Sequence, residues 1–228
     1  MGEIQLGDCR ARNLAPSTLV GHTKTLEHLQ TFCDASDTRY VQEISLGTLT
    51  DFRASRPVAL STSSKELETL RAFCAFARKR GWLPENYAKD LAPPKESACP
   101  TLPYSRAEVQ AILGACGHLE DDNPDTRERT RQRALAFCLT MLYSGLRISD
   151  TVRLKRNTVD LETGKMLLRI MKTGVPLYVR LGPPAIFALA SLRWESDYFF
   201  WNGRSRLSTA VGNARKTISR VLALAGGS

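Results

Sequence analysis

The prolines at 93, 94, 100 and 103 constrain this chain more than any other feature. They lack backbone donors and push their neighbours out of the helical region, so no regular element is expected to run through residues 93–103. A chain of 228 residues has room for one large domain or two small ones, and this break favours two.

Residues 15–92 read as a helical bundle, preceded by an N-terminal tail at 1–14. Pro16-Ser17 opens a helix to Cys33, with His22, Leu26, Leu29 and Cys33 on one face. Ser45 caps a shorter helix carrying Leu46, Leu49 and Phe52. Ser61 to Ser64 opens a longer one, striped by Leu67, Leu70, Cys74 and Ala77. It ends in Arg78-Lys79-Arg80-Gly81, cations at the negative end of the helix dipole and then glycine. A short helix is expected around 85–91.

Residues 104–228 begin with Ser105-x-x-Glu108, a capping box ahead of Val109, Ile112 and Leu113. A long helix is expected from Thr126 to Tyr143. The period then changes: 158–161, 165–171 and 177–181 read as strands, with turns at Glu162-Thr163-Gly164 and Thr173-Gly174. Pro183-Pro184 starts another helix to Leu192. Tyr198 to Trp201 reads as a short strand or buried segment, and Ser208 to Ala225 as a final amphipathic helix. The expected class is mainly α with a small antiparallel sheet.

No run of about 20 apolar residues is present, which excludes a membrane-spanning helix. The N-terminus lacks the basic and apolar regions of a signal peptide, so a cytoplasmic location is expected. Six cysteines stand singly with no Cys-x-x-Cys, which suits small core residues in a reducing compartment better than disulfides or zinc ligands. Net charge is +9 and uneven. Up to Pro94, 12 Lys and Arg face 11 Asp and Glu; from Lys95 onward, 20 face 12. Such a basic half suits a polyanion, because each neutralised phosphate releases a counterion.

Chemistry concentrates in Tyr143-Ser144-Gly145-Leu146-Arg147-Ile148-Ser149-Asp150. Arg147 at a helix start presents a planar fork to a phosphate; the plainer alternative is a surface ion pair with Asp150 one turn on. Lys172 sits at a hairpin tip, where it could protonate a leaving oxygen or stand as an ordinary exposed turn lysine.

Together these stretches resemble the tyrosine recombinases, also called phage integrases. Leu142 to Asp150 is similar to the family's first Arg motif and the acidic residue after it. Residues 165–181, with Lys172-Thr173-Gly174 inside, look like the hairpin bearing its catalytic lysine. Residues 61–77, with Lys65 and Arg71, resemble the DNA-facing helix of its N-terminal domain, and Leu102 to Val109 the entry to its catalytic domain. The resemblance implies a helical SAM-like core-binding domain at 15–92, a linker at 93–103 and a partial catalytic domain at 104–228. It implies double-stranded DNA as partner, no metal or other cofactor, and strand exchange through a 3′-phosphotyrosine. Arg147 would steady the phosphate, Lys172 would protonate the departing 5′ oxygen, and Asp150 would support them. Lys65, Arg71, Arg204, Arg206, Arg215 and Lys216 would contact DNA, each positioning the protein without reading sequence.

The family also needs a His-x-x-Arg motif, a later His or Trp, and a nucleophilic Tyr. The histidines here are His22, His28 and His118; all precede Arg147 and none has Arg at the third position after it. Tyr198 lies in an apolar run and reads as core. The expectation is a chain missing that segment: a DNA binder inactive alone, monomeric without DNA, whereas the complete enzyme would work as a homotetramer on DNA. The alternative is a non-catalytic DNA-binding protein that keeps the recombinase fold.

Overall fold

The computed structural model describes residues 2–95, 102–121, 123–193 and 195–226. The chain forms two compact units, Met1–Pro100 and Thr101–Ser228. It is mostly helical with a small antiparallel sheet, and no helix among the described residues is long and apolar enough to cross a membrane.

The first unit contains α1 (Gly2–Ala11), α2 (Pro16–Ala35), α3 (Leu46–Ala54) and α4 (Leu60–Lys79). Residues 1–14, expected as a tail, therefore include a helix, and Cys9 on it is buried. Leu26, Leu29 and Cys33 of α2 pack with Leu49 and Phe52 of α3 and with Leu67, Leu70, Phe73, Cys74 and Ala77 of α4. Each side chain removed wholly from water in this way contributes about 1.5–3 kcal/mol. Leu46, placed on the same face by its spacing, is exposed because it occupies the first turn of α3.

Helix ends show which local signals act. Ser45 Oγ accepts from the Thr48 N–H at 3.2 Å and caps α3. At α2 the cap position is Ala15, with Pro16 inside the first turn, and α4 begins at Leu60, ahead of the serine cluster. Past α4 the chain reverses at Gly81: the Trp82 N–H donates to the Ala77 carbonyl at 2.9 Å and the Gly81 N–H to that of Arg78 at 3.0 Å. This satisfies carbonyls the helix leaves open. The helix expected near 85–91 is a single 3-10 turn, Tyr87–Lys89.

The second unit contains α5 (Arg106–Ala115), α6 (Pro124–Ser144), α7 (Ile148–Val152), β1 (Lys165–Arg169), β2 (Pro176–Arg180), α8 (Pro183–Ala190) and α9 (Leu207–Leu224). The capping box at α5 closes in both directions: the Ser105 N–H donates to Glu108 Oε2 at 2.7 Å, and the Glu108 N–H to Ser105 Oγ at 3.3 Å. β1 and β2 pair antiparallel, with Lys165 opposite Arg180, Leu167 opposite Tyr178 and Arg169 opposite Pro176. The strand expected at 158–161 is one isolated bridge, Val159 to Met166, because the backbone just before it winds into a 3-10 turn at Arg156–Thr158. Tyr198 likewise makes one bridge, to Lys155, while Phe199 and Phe200 are buried.

Ala136, Phe137 and Leu139 of α6 form the centre of this unit's core with Leu146, Val152, Leu154, Met166, Leu181, Leu189 and Phe199. On α9 the buried residue is Val221; Val211, Ile218, Leu222 and Ala225 are half-buried.

Candidate active site

The turn that carries Arg147 is built by the end of α6. Ser144 Oγ donates to the Thr140 carbonyl at 2.5 Å and accepts from the Leu146 N–H at 3.2 Å. Gly145 takes φ 65°, a left-handed conformation with little strain for glycine, and its N–H still donates to the Met141 carbonyl at 2.9 Å. Leu146 then anchors in the core at 3% exposure. The next residue, Arg147, occupies the cap position of α7 with its side chain exposed. Its carbonyl receives the N–H groups of Asp150 (3.0 Å) and Thr151 (2.9 Å) and the Thr151 hydroxyl (3.1 Å).

Asp150 does not pair with Arg147. It turns inward to 3% exposure, and its Oδ1 accepts the Met171 N–H at 2.9 Å. Met171 immediately precedes Lys172 at the tip between β1 and β2. This one bond ties the first turn of α7 to the hairpin tip. The tip is further closed by Ile170 N–H to Val175 O (2.9 Å) and Gly174 N–H to Ile170 O (2.8 Å), with Gly174 at φ 69°. Asp150 Oδ2 is buried and has no hydrogen-bond partner among the described residues. An orphaned buried oxygen is costly and recurs at functional sites.

Arg147 and Lys172 are thus two exposed cations on segments joined by a hydrogen bond. Neither forms an ion pair among the described residues. Charge left uncompensated in this way favours an anion at both. The pairing of Arg147 with Asp150, the plainer of the two sequence readings, is absent.

The residues expected at DNA divide into two groups. Lys65 on α4 is exposed, as are Arg204, Arg206, Arg215 and Lys216 along and just before α9. Arg71 is committed elsewhere. It is half-buried: Nε donates to Ala88 O at 3.3 Å, one terminal nitrogen to Leu91 O at 3.0 Å and the other to Glu68 at 2.9 Å. Its guanidinium holds the 88–91 segment against α4, because those carbonyls lie beyond any helix and need donors.

A row of arginines on α6 escaped the sequence reading, although Thr126 to Arg133 alternates them visibly. Arg131 donates to Leu119 O at 2.9 Å, Arg127 to Asp121 O at 3.1 Å and Arg133 to Phe199 O at 3.2 Å, and Arg129 pairs with Glu195. Only the tertiary fold shows that these side chains staple neighbouring loops to the helix.

No family model matches the sequence. The chain is 28% identical over 200 residues to tyrosine recombinase XerC of Halalkalibacterium halodurans, covering 86% of this chain and 60% of that protein. Among solved structures it is similar to a lambda integrase (75–356) dimer bound to a COC′ core site, with TM-score 0.77, 14% identity, and coverage of 99% of this chain and 77% of that one. It is also similar to a lambda integrase tetramer bound to a Holliday junction, with TM-score 0.75, 15% identity, and coverage of 99% and 63%. At such identities the solved structures establish the shared fold, and the likeness in sequence to the XerC recombinase stands beside it.

Proposed function

Taking as premise the tyrosine recombinase family, which the sequence relative and the fold both support, we propose that the chain is part of a site-specific DNA recombinase that cuts and rejoins duplex DNA through a 3′-phosphotyrosine. The chain spans 60% of the length of its XerC relative, so the activity of a whole recombinase is part of the proposal. The first unit is assigned to gripping duplex DNA and the second to the scissile phosphate. Homotetramer formation on DNA, and a monomeric state of these residues without it, belong to the same proposal.

The observation that carries this reading is the bond between Asp150 and Met171, which holds the segment bearing Arg147 to the segment bearing Lys172. Arg147 would donate to nonbridging phosphate oxygens and stabilise charge that builds there during attack. Removal of one such preorganised donor typically lowers the rate about 10²–10³-fold. Lys172 would deliver a proton to the departing 5′ oxygen. Asp150 touches neither and acts as the positioning residue. Arg204, Arg206, Arg215, Lys216 and Lys65 would contact backbone phosphates, a role supported by their exposure and lack of ion pairs among the described residues.

The second reading is a DNA-binding protein without catalysis that keeps the same fold. Two measurements on this chain test these readings. Gel shift against duplex DNA at several salt concentrations should show affinity falling steeply with salt; no salt-dependent binding would defeat both readings. Incubation with nicked duplex should trap no covalent adduct, since the motifs above supply no assigned nucleophile. A trapped adduct would overturn that assignment and make one of the chain's own tyrosines the attacking group.

A further inference from the structure

Cys116 and Cys138 are 22 residues apart in sequence, yet their sulfurs lie 3.8 Å from each other. Cys116 opens the 3-10 turn Cys116–His118 that follows α5, and Cys138 stands on α6. Both are free thiols. Among the described residues no other two cysteine sulfurs meet. The pair sits in a small core with Ala115, Leu119, Ala134 and Val221, which joins the end of α5 to α6 and α9.

The two thiols differ in access. Cys116 is wholly buried, whereas Cys138 is half-buried. A thiol that meets solvent with a second thiol in contact behind it can have its first oxidation captured before it goes further. A disulfide spans about 2.05 Å, so the sulfurs must approach by about 1.8 Å, or about 0.9 Å for each side chain. The contact between the sulfurs also favours ionisation at Cys116 over Cys138: it holds Cys116 below its ordinary value despite burial, and pushes Cys138 above. The buried sulfur is therefore the better nucleophile for closing a bridge.

We propose that Cys116 and Cys138 form a reversible disulfide when the chain meets a hydroperoxide, clamping the end of α5 to α6. The Cys138 sulfur attacks one peroxide oxygen; the O–O bond breaks, water leaves, and Cys138 becomes a sulfenic acid. Cys116 then attacks that sulfur: the S–S bond forms, the S–O bond breaks, and a second water leaves. The two thiols together give up two electrons and two protons, and one hydrogen peroxide is reduced to two waters. Closing a loop of 22 residues restricts mainly the unfolded chain, so the bridged form is the more heat-stable one. Cys138 also lies just ahead of Thr140, whose carbonyl accepts Ser144 Oγ at the turn before Arg147. The bridge thus acts on the helix that builds that turn.

The test exposes the whole reduced chain to hydrogen peroxide, alkylates the remaining thiols and digests with trypsin. A bridge should join peptide 107–127 to peptide 134–147 with the loss of two hydrogens, and dithiothreitol should separate them. The bridged form should unfold about 5–10 °C higher than the reduced form and lose that gain on reduction. Cys138→Ser should form no bridge and leave Cys116 open to alkylation once the chain is unfolded. Cys116→Ser, whose hydroxyl can donate to the Ile112 carbonyl that Cys116 meets at 3.5 Å, should accumulate a Cys138 sulfenic acid that dimedone traps. That adduct shows Cys116 to be the capturing thiol, a readout that mere packing of two core cysteines does not move. Both thiols still alkylated after peroxide, a Cys138 sulfinic acid beside a free Cys116 in the parent, a bridge that forms only in urea, or a bridge that brings no gain in midpoint each overturns the proposal.

Discussion

Replacing Asp150 with alanine tests whether the hairpin tip is held by one bond. Asp150 Oδ1 is the acceptor for the Met171 N–H at 2.9 Å, in a pocket where the aspartate is 3% exposed. Truncation leaves that part-buried N–H without its acceptor, which costs at most about 1–3 kcal/mol, the figure for a fully buried donor. The small cavity left by the carboxylate adds to this, but loss of the unpartnered Oδ2 works the other way. The net effect on global unfolding is therefore expected toward the low end of that range. The local effect should be larger than the global one, since the tip has exposed flanks on both sides. Amide hydrogen exchange reads it directly. At tenfold per 1.4 kcal/mol, exchange at Met171 and Lys172 should quicken about 5–150-fold. Asp150→Asn keeps an acceptor oxygen at the same place and should retain most of the protection, through a weaker neutral hydrogen bond. Unchanged exchange at Met171 in Asp150→Ala would refute the reasoning, and the tip would then be held by Ile170, Gly174 and Val175 alone.

Four further outcomes are expected. Arg56 meets Glu66 through Nε at 3.1 Å and a terminal nitrogen at 2.6 Å, with side chains 20% and 10% exposed. Arg56→Met should destabilise the first unit by about 3 kcal/mol in urea denaturation, and adding Glu66→Leu should recover most of the loss, because the larger part is an unpaired buried carboxylate. Asp160 is held below its ordinary value of 3.8 by the Thr163 hydroxyl and then by the Thr163 and Glu162 N–H groups. Such a group stabilises the fold above 3.8 and loses that contribution as pH falls through the folded-state value. The thermal midpoint should thus fall in that acid window, and Asp160→Asn should differ from the parent above it but not below it. Finally, Arg215→Ala or Lys216→Ala should lower the slope of log affinity against log salt by about one unit for every duplex tested. Arg71→Ala should instead lower the unfolding midpoint, because its donors serve Ala88 and Leu91, and leave the salt slope unchanged.

What the sequence by itself determined lies in short-range chemistry. Ser45 and the Ser105–Glu108 box marked helix starts, and Gly81 marked a reversal. The stripe of Leu67, Leu70, Cys74 and Ala77 identified a buried face. Each signal depends on covalent geometry or on bonds within a few residues, so it survives without knowledge of the fold. The turn before Arg147 and the hairpin tip at Lys172 were legible for the same reason: a local pattern of glycine and turn residues fixes where each side chain emerges.

Tertiary structure decided how those pieces use their polar groups. The same spacing that allows Arg147 to reach Asp150 also allows Asp150 to turn into the core. The choice fell to the Met171 N–H, 21 residues away, whose need for an acceptor no local pattern records. Arg71 reads as a surface cation on its helix until the 88–91 carbonyls fold back to claim it. The segment at 158–161 has strand composition yet forms one bridge, since pairing depends on a neighbour's register. The arginines of α6 become loop staples only once the loops bearing Leu119, Asp121, Glu195 and Phe199 pack beside them. In each case the deciding partner is distant in sequence, and the free energy at stake is the burial of a polar group that must find a partner or remain costly.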